Sequence, residues 1–398
     1  MRKRRLFIVT ILLFIFPCTI ESQEIKPGVH INKENYKTYS QELKKLLNPG
    51  AIDIITNAIK KGWISIPVIK KGNYSPPEGF AEFTKKNKGK FKVGKDNRLI
   101  GPDWKGGLPF PEPETGAELG WNVYRRRGTL EEFIMDSDFF LIDKGGKLER
   151  TFKWIAWKKS WLGRTDLHPI PELEGNNGTI YWKESVLINA PFDVKGFSMI
   201  RTHYEDIYRE DDVFSYIPAL RRIRRLTGSD VTDPMLGSDF CYDDFEGWHQ
   251  KLGPKMTFKL AGSGKFLVST RFDSKSIPDF VKGNCFQVEW EIRDLWILEI
   301  FMNDPGYAYS KRVYYVEKED KTATIYSAEF YDLKGRLWRI QPMIVKYFNS
   351  KTGQRYWLGG NYKDNLSGHS TIVPMYPRIG ERVPLEAFTV RGLLRIAR

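Results

Sequence analysis

The apolar positions of this chain change period along its length. Between residues 31 and 62 they recur at helical spacing. Tyr39, Leu43, Leu46 and Leu47 share one face, and Ile52, Ile55, Ala58 and Ile59 share another. Asn48-Pro49-Gly50 separates the two helices and Gly62 ends the second. Residues 70–118 are rich in Gly, Pro and Lys and predict a long extended loop. From about residue 121 the period falls to two. Strands are predicted at 121–127, 132–142, 147–157, 179–190, 194–202, 212–217, 219–226, 255–261, 265–272, 284–303, 311–318, 322–332 and 335–348. Turn signals separate them, among them Lys144-Gly145-Gly146, Gly175-Asn176-Asn177-Gly178, Gly262-Ser263-Gly264 and Lys334-Gly335.

So many strands joined by hairpins predict a mainly β, α+β protein built on one large antiparallel sheet. A flat sheet of that width is uncommon, so strong curvature or closure is expected. A short helix is predicted over 239–251 and another over 384–396, and no internal repeat is visible. Composition sharpens this picture. The 398 residues include 12 Trp, 19 Tyr and 25 Phe, more aromatic surface than a core alone needs, which favours sheet and apolar cavities. Three cysteines exclude a disulfide-dense scaffold and a multi-zinc protein.

Residues 1–22 read as an export signal. Met1–Arg5 is basic, Leu6–Phe16 is apolar, Pro17 breaks the run, and cleavage is expected near Ser22. The run is short for a membrane span. Phe16-Pro17 before Cys18 does not suit a lipoprotein cleavage site. Four positive charges and Glu21 leave with the segment, taking the net charge from +14 to +11. Cys241 and Cys285 then remain, either as a pair or as two buried small hydrophobes.

Most chemical motifs fail on inspection. Gly262-Ser263-Gly264-Lys265 lacks the flanking residues of a phosphate loop and reads as a hairpin turn. Five scattered histidines give no metal spacing, so neither a metal nor a cofactor is expected. Glu289-Trp290-Glu291 places two carboxylates on one strand face, a weak echo of a glycosidase pair and more simply a solvated face. Arg221, Arg222, Arg224 and Arg225 form the densest basic run. An exported protein meets little nucleic acid, so the run is expected to pair with Asp230, Asp233, Asp239, Asp243 and Asp244. An anionic head group at a cavity mouth is the other use for such a run.

Residues 191–248 carry an ordered set of motifs. Pro191-Phe192-Asp193-Val194-Lys195-Gly196 comes first, then Asp211–Leu220 with Val213-Phe214-Ser215-Tyr216-Ile217-Pro218 at its centre, then the arginine run. Met235-Leu236-Gly237-Ser238-Asp239-Phe240 and Tyr242-Asp243-Asp244-Phe245 complete it. With Lys311–Val316, Tyr331–Arg339, the early Gly28, Ile31-Asn32 and Asn35, and Gly107–Phe110, this order resembles the bacterial outer-membrane lipoprotein-sorting superfamily, the Lol-type carriers. It is closer still to a long, functionally uncharacterised branch of that superfamily, and most of the chain after residue 22 is covered.

The resemblance implies an incomplete barrel plugged by helices, with an apolar cavity for acyl chains between sheet and helices. The chain divides accordingly into a signal peptide (1–22), a helical and extended segment packing on the sheet (23–118) and the half-barrel (119–398). The expected function is that of a periplasmic, monomeric, non-enzymatic carrier or chaperone for a lipid or acylated protein, with an envelope transporter as a further implied partner. Trp154, Phe197, Met199, Phe214, Trp290 and Trp296 are the expected cavity walls. Arg221, Arg222, Arg224, Arg225, Asp230, Ser238, Asp239, Asp243 and Asp244 are the expected motif residues. The competing function is a secreted carbohydrate-binding or carbohydrate-active protein using tryptophan platforms and carboxylates.

Overall fold

Alternation from Glu132 onward produces a meander of six strands: β1 (Glu132–Ile142), β2 (Leu148–Ser160), β3 (Ile180–Ala190), β4 (Ser198–Tyr204), β5 (Asp212–Ile217) and β6 (Arg222–Leu226). After a crossover come β7 (Met256–Phe272), β8 (Glu289–Met302), β9 (Lys311–Glu317), β10 (Ile325–Tyr331), β11 (Leu337–Gln341), β12 (Ile344–Phe348), β13 (Arg355–Asp364) and β14 (Ser370–Pro377). This computed structural model describes residues 23–126, 130–226, 233–272, 280–281, 285–378, 380–389, 391–392 and 395. The predicted signal segment and Asp230 lie outside the described residues.

The fourteen strands form one sheet in the order β6-β5-β4-β3-β2-β1-β14-β13-β11-β10-β9-β8-β7-β12. The strand β12 also pairs with β13, and its end meets the end of β7 in parallel at Tyr347↔Arg271, so this side of the sheet curls. The sheet is mainly antiparallel and is not closed into a barrel.

Period-two alternation gives the sheet two distinct faces. Phe133, Met135, Phe139 and Leu141 of β1 and Phe152, Trp154 and Ala156 of β2 point into the largest core cluster, on what we call the inner face. Ile134, Ile155 and Leu187 point the other way and are covered by Val383 and Phe388. Among the described residues four α-helices pack on the sheet: α1 (Ser40–Leu46), α2 (Ile52–Lys60), α3 (Glu78–Asn87) and α4 (Gly116–Tyr124). Leu43, Ile55, Ala58 and Ile59 of α1 and α2 share a cluster with Trp290, Val345, Tyr347, Tyr356 and Leu358. On α4, Gly116 and Gly120 let the helix lie against β7. A Cβ at Gly116 would stand 2.7 Å from the Leu260 backbone nitrogen, and one at Gly120 would stand 2.7 Å from the Phe258 ring.

Several elements differ from the sequence expectation. The predicted strand 121–127 begins instead inside α4, whose start is fixed by a Thr115–Glu118 capping box. The predicted loop 70–118 contains α3 and a short hairpin pairing Lys92–Val93 with Leu99–Ile100. In α3 only Phe80, Thr84 and Asn87 are buried, so its apolar period is too sparse to read. Gly262-Ser263-Gly264 is not a turn: it lies inside β7, where a register shift between Leu260 and Gly262 absorbs the irregularity. Pro342-Met343 divides the expected strand 335–348 into β11 and β12. The strands β13 and β14 were not anticipated, because both are buried on both faces for most of their length and show no alternation. The segment expected as a helix at 239–251 forms a 3-10 turn, Tyr242–Gly247; of the helix expected over 384–396, Leu385–Phe388 is a 3-10 turn and the described residues 391, 392 and 395 are helical. Cys241 and Cys285 are both free and buried.

Candidate functional site

The crossover 233–253 fills the inner face of the sheet. Phe240, Phe245 and Trp248 belong to its main apolar cluster. Phe245 meets Trp357 edge-on at 4.4 Å and Trp154 at 5.9 Å, and Phe240 meets Tyr362 at 5.0 Å between ring centroids. The backbone-to-backbone hydrogen bonds of residues 235–249 close within the segment itself: Met235 N to Phe240 O, Ser238 N to Met235 O, Asp244 N to Cys241 O and His249 N to Asp243 O. Side chains, not a shared ladder, hold it to the sheet.

Three aspartates supply most of that hold. Asp239 accepts from Thr371 Oγ1 at 2.9 Å and pairs with His369 Nδ1 at 2.6 Å. Asp243 accepts from the Tyr307 hydroxyl at 2.9 Å and faces Arg201 at 3.9 Å. Asp244 accepts from the Tyr309 hydroxyl at 2.7 Å and faces Arg312 at 3.5 Å. Its carboxylate also accepts from the Cys241 thiol at 2.9 Å and from the Cys241 amide, which caps the 3-10 turn. Burial pushes the carboxyls of Asp239 and Asp243 up from the usual range; His369 opposes this at the first and Arg201 at the second.

A second polar layer joins the segment to β3 and β4. Glu184 accepts from the Tyr242 hydroxyl and lies 2.8 Å from His249 Nε2. His203 is 2.7 Å from Asp211 through Nδ1 and 2.6 Å from the Tyr124 hydroxyl through Nε2, and it stacks on Trp182 at 4.4 Å. Burial pushes both imidazoles down to about 4, against the pull of the neighbouring carboxylates, so both are neutral at pH 7. Burial works against ionisation of Glu184 too, but His249, Lys158 and the Tyr242 hydroxyl outweigh it and hold this carboxyl at about 2.

Beside this layer, α4, β2, β3 and β4 line a half-open pocket of about 80 Å³. Its lining includes Arg125, Arg126, Lys158, Trp182, His203 and His249. Among the described residues no group of His, Cys, Asp and Glu is arranged to hold a metal ion.

Of the six expected wall residues, three meet at the inner cluster and three lie elsewhere. Trp154 lies in the inner cluster, with Phe197 and Trp296 packed half-buried against it. Met199 packs with Val213 and Tyr242. Trp290 belongs to the cluster under α1 and α2, and Phe214 is half-buried on β5. Of the motif residues, Ser238, Asp239, Asp243 and Asp244 all sit in the crossover and are buried.

The arginine run is a correction. Arg221 is the left-handed residue ending the turn after β5, and Arg222, Arg224 and Arg225 lie exposed on the edge strand β6. Among the described residues only Arg225 has an ion-pair partner, and it is Asp212 at 2.6 Å, not the acidic segment. Of the aspartates expected to neutralise the run, Asp239, Asp243 and Asp244 are buried on the inner face, where His369, Arg201 and Arg312 serve them, and Asp233 is exposed. Arg222→Ala and Arg224→Ala should therefore each shift stability by less than about 0.5 kcal/mol, and Arg225→Ala by about 0.2–1 kcal/mol, in urea unfolding. A loss above about 1.5 kcal/mol at Arg222 would contradict this placement.

The Glu289-Trp290-Glu291 segment also departs from expectation. Glu291 is fully buried. It accepts from Gly72 N at 2.8 Å and lies 3.5 Å from Arg293. Arg293 also donates to Glu317 and lies 4.0 Å from Asp320, which Arg355 holds at 2.8 Å. Burial, reinforced by Glu317 and opposed by Arg355, pushes the Asp320 carboxyl up to about 6. Glu291 is part of an ion network, not of a solvated face. A polar residue inside an otherwise apolar alternation was the only available signal, and it does not distinguish buried from exposed charge.

The fold and site together define a class: a curved antiparallel sheet whose inner face is filled by one ion-clamped crossover. A family model described as a protein of unknown function, DUF1329, matches residues 30–386, and the chain belongs to that family. Among solved structures it is similar to a DUF1329 family protein from Desulfovibrio piger, with 18% identity and TM-score 0.50 over 70% of this chain and 97% of that one. It is also similar to a domain from Vibrio parahaemolyticus assigned to outer membrane lipoprotein sorting, with 19% identity and TM-score 0.49 over 70% and 98%. A third is a LolA superfamily protein from Nitrosomonas europaea, with 16% identity and TM-score 0.45 over 70% and 99%. A comparison with curated proteins finds no match.

Proposed function

We propose that this protein is a periplasmic, non-enzymatic carrier or chaperone that holds a lipid, an acyl chain or an acylated protein against the inner face of its sheet. An envelope transporter is the partner that would load or unload it. The observation that supports this reading most is the cover. Residues 235–249 close their backbone bonds among themselves and fill an aromatic wall chiefly with Phe240, Phe245 and Trp248, beside Cys241 and the half-buried Met235 and Leu236. A cover attached by side chains can move away without breaking the sheet. An acyl chain of sixteen carbons contributes on the order of 12 kcal/mol at about 0.8 kcal/mol per buried CH₂, enough to replace those three side chains. The sugar-binding alternative gains nothing from the surface: no tryptophan is exposed among the described residues.

Native mass spectrometry of the protein purified from an envelope extract tests the proposal. The expected spectrum carries an adduct of lipid mass, and the delipidated protein should take up a fluorescent fatty acid. Asp244→Asn weakens one clamp and should raise the rate of uptake several-fold while the far-UV circular dichroism is kept. A protein that carries no adduct and takes up no fatty acid, in either form, would sink the carrier reading. N-terminal sequencing after export should give Gln23.

A further inference from the structure

Five turns follow one another along one rim of the sheet. They join β5 to β6, β3 to β4, β1 to β2, β13 to β14 and β10 to β11, and the strands they join are consecutive in the sheet. Neighbouring strands are about 4.8 Å apart, so the tips recur roughly every 10 Å. Contacts tie the central three side by side. Arg150 pairs with Asp193, Glu149 lies 2.9 Å from His369, and a Cβ at Gly368 would stand 3.1 Å from the Lys144 Cβ. Each tip, with the strand residue that borders it, presents one large apolar side chain to solvent. Phe192 is 92% exposed, Leu333 59%, Leu220 54%, Leu148 50% and Leu366 49%. A lone exposed leucine is ordinary, but one apolar side chain on every tip of a rim is a pattern. The turns do not require them. In 332–336 and 364–369 the first aspartate accepts from the amides that follow it and a glycine takes the left-handed position, so nothing in the turn calls for leucine.

The charges on these tips are sorted by direction. Asp143, Asp332 and Asp364 are turned back onto the amides of their own turns. Asp193 is held by Arg150, and Glu149 faces His369. Lys144, Lys147, Lys195, Arg221, Arg222 and Lys334 are exposed and, among the described residues, belong to no ion pair. We infer that this rim docks on the surface of an anionic phospholipid bilayer, with the apolar side chains set into the head-group boundary and the lysines and arginines against the phosphates. The spacing selects a bilayer over a protein partner. A protein interface gathers its apolar residues into one buried centre. Here they stand apart with charged residues between them, which suits separate wedges entering a fluid surface. The cations fit the same geometry, because their stems can lie among the head groups while the charged ends reach phosphate. The inference does not depend on what the inner face of the sheet holds.

Co-sedimentation of the exported protein with sucrose-loaded vesicles tests the rim. Binding to vesicles of phosphatidylethanolamine and phosphatidylglycerol should be at least about tenfold tighter than to vesicles of phosphatidylcholine alone, and should weaken as salt is raised. Phe192→Ser combined with Leu333→Ser should weaken it at least about fivefold, and so should Arg221→Gln combined with Arg222→Gln. These side chains are exposed, so the urea midpoint of each variant should stay at the wild-type value. Leu385→Ser is the control. Leu385 is also 59% exposed but follows β14, near the far end of β2 where Lys159 meets the Val383 carbonyl, and its variant should bind as wild type does. No sedimentation with the anionic vesicles, or equal binding by the wild type and the Phe192–Leu333 variant, overturns the inference. A protein that binds no vesicles, is dimeric in sedimentation velocity and becomes monomeric in that variant overturns it too, since the rim would then join two copies. The rim variants leave the inner face intact, so their fatty-acid uptake should equal that of the wild type, and the carrier reading is judged separately.

Discussion

Arg293→Ala should destabilise the protein by about 3–5 kcal/mol, because it strips the cation from a buried cluster that already holds more carboxylates than arginines. Glu291, Glu317 and Asp320 share Arg293 and Arg355, and all five side chains are less than 5% exposed. The cost should depend on pH in a definite sense. Burial raises the folded-state carboxyls of Glu291 and Asp320, the latter to about 6. A raised carboxyl is a penalty only when ionised. That penalty is absent below the unfolded value near 4 and is complete once pH has risen through the folded value. The deficit of the variant should therefore be larger at pH 7.5 than at pH 5. Urea midpoints of both proteins at the two pH values measure it. A deficit below about 1 kcal/mol, or one that grows as pH falls, would show that the cluster is not the closed network described.

The second large effect is acid sensitivity of the inner face. His203 and His249 are held near 4 when folded, against 6.5 for the unfolded chain. A depressed imidazole contributes stability above its unfolded value and loses it as pH falls through the folded one, so the window is pH 6.5 to 4. Each shift corresponds to about 3 kcal/mol. The raised carboxyls of Asp239, Asp243 and Glu291 run in the opposite direction through part of the same window. The histidine contribution is therefore best read as a difference. His249→Asn should flatten the fall in stability between pH 6.5 and 4 relative to wild type, and the remaining His203 imidazole should titrate near 4 in its NMR spectrum. A His203 imidazole that titrates near 6.5 in the folded protein would contradict the burial described.

What was legible in the sequence follows from where each physical signal is local. The strands β1, β3 and β5 were read almost to the residue, because each alternates between an apolar and a polar face and ends at turn residues. The helices α1 and α2 were read from their apolar stripes. By contrast α4 begins at a capping box in a Gly-rich stretch, and its glycines face β7, so a packing surface made of missing side chains looked like loop. The strands β13 and β14 are covered on both sides, and burial on both sides erases the alternation that marks a strand. The candidate site divides in the same way. The acidic residues Asp239, Asp243 and Asp244 stood out as a cluster in sequence. Their partners did not, since Arg201, Arg312 and His369 are single polar residues in three separate strands or their flanks. The nearest run of cations was an attractive substitute that the topology places on an exposed edge.

The seam between β1 and β14 has a consequence for how the chain acquires its shape. Ser370 pairs with Ile142, and Pro377 pairs with Met135, so the strand that joins the two halves of the sheet comes from the far end of the sequence. Until it arrives, the meander β1–β6 ends at β1 in an open row of amide and carbonyl groups, and the other half does the same at β13. Contacts this distant in sequence are slow to form, and an unsatisfied edge invites pairing with another molecule. A chain interrupted before residue 370 thus keeps two half-sheets with sticky central edges in place of one continuous surface. The vulnerable moment in the life of this protein is the interval before its final strand is inserted, when it most needs protection from its own copies.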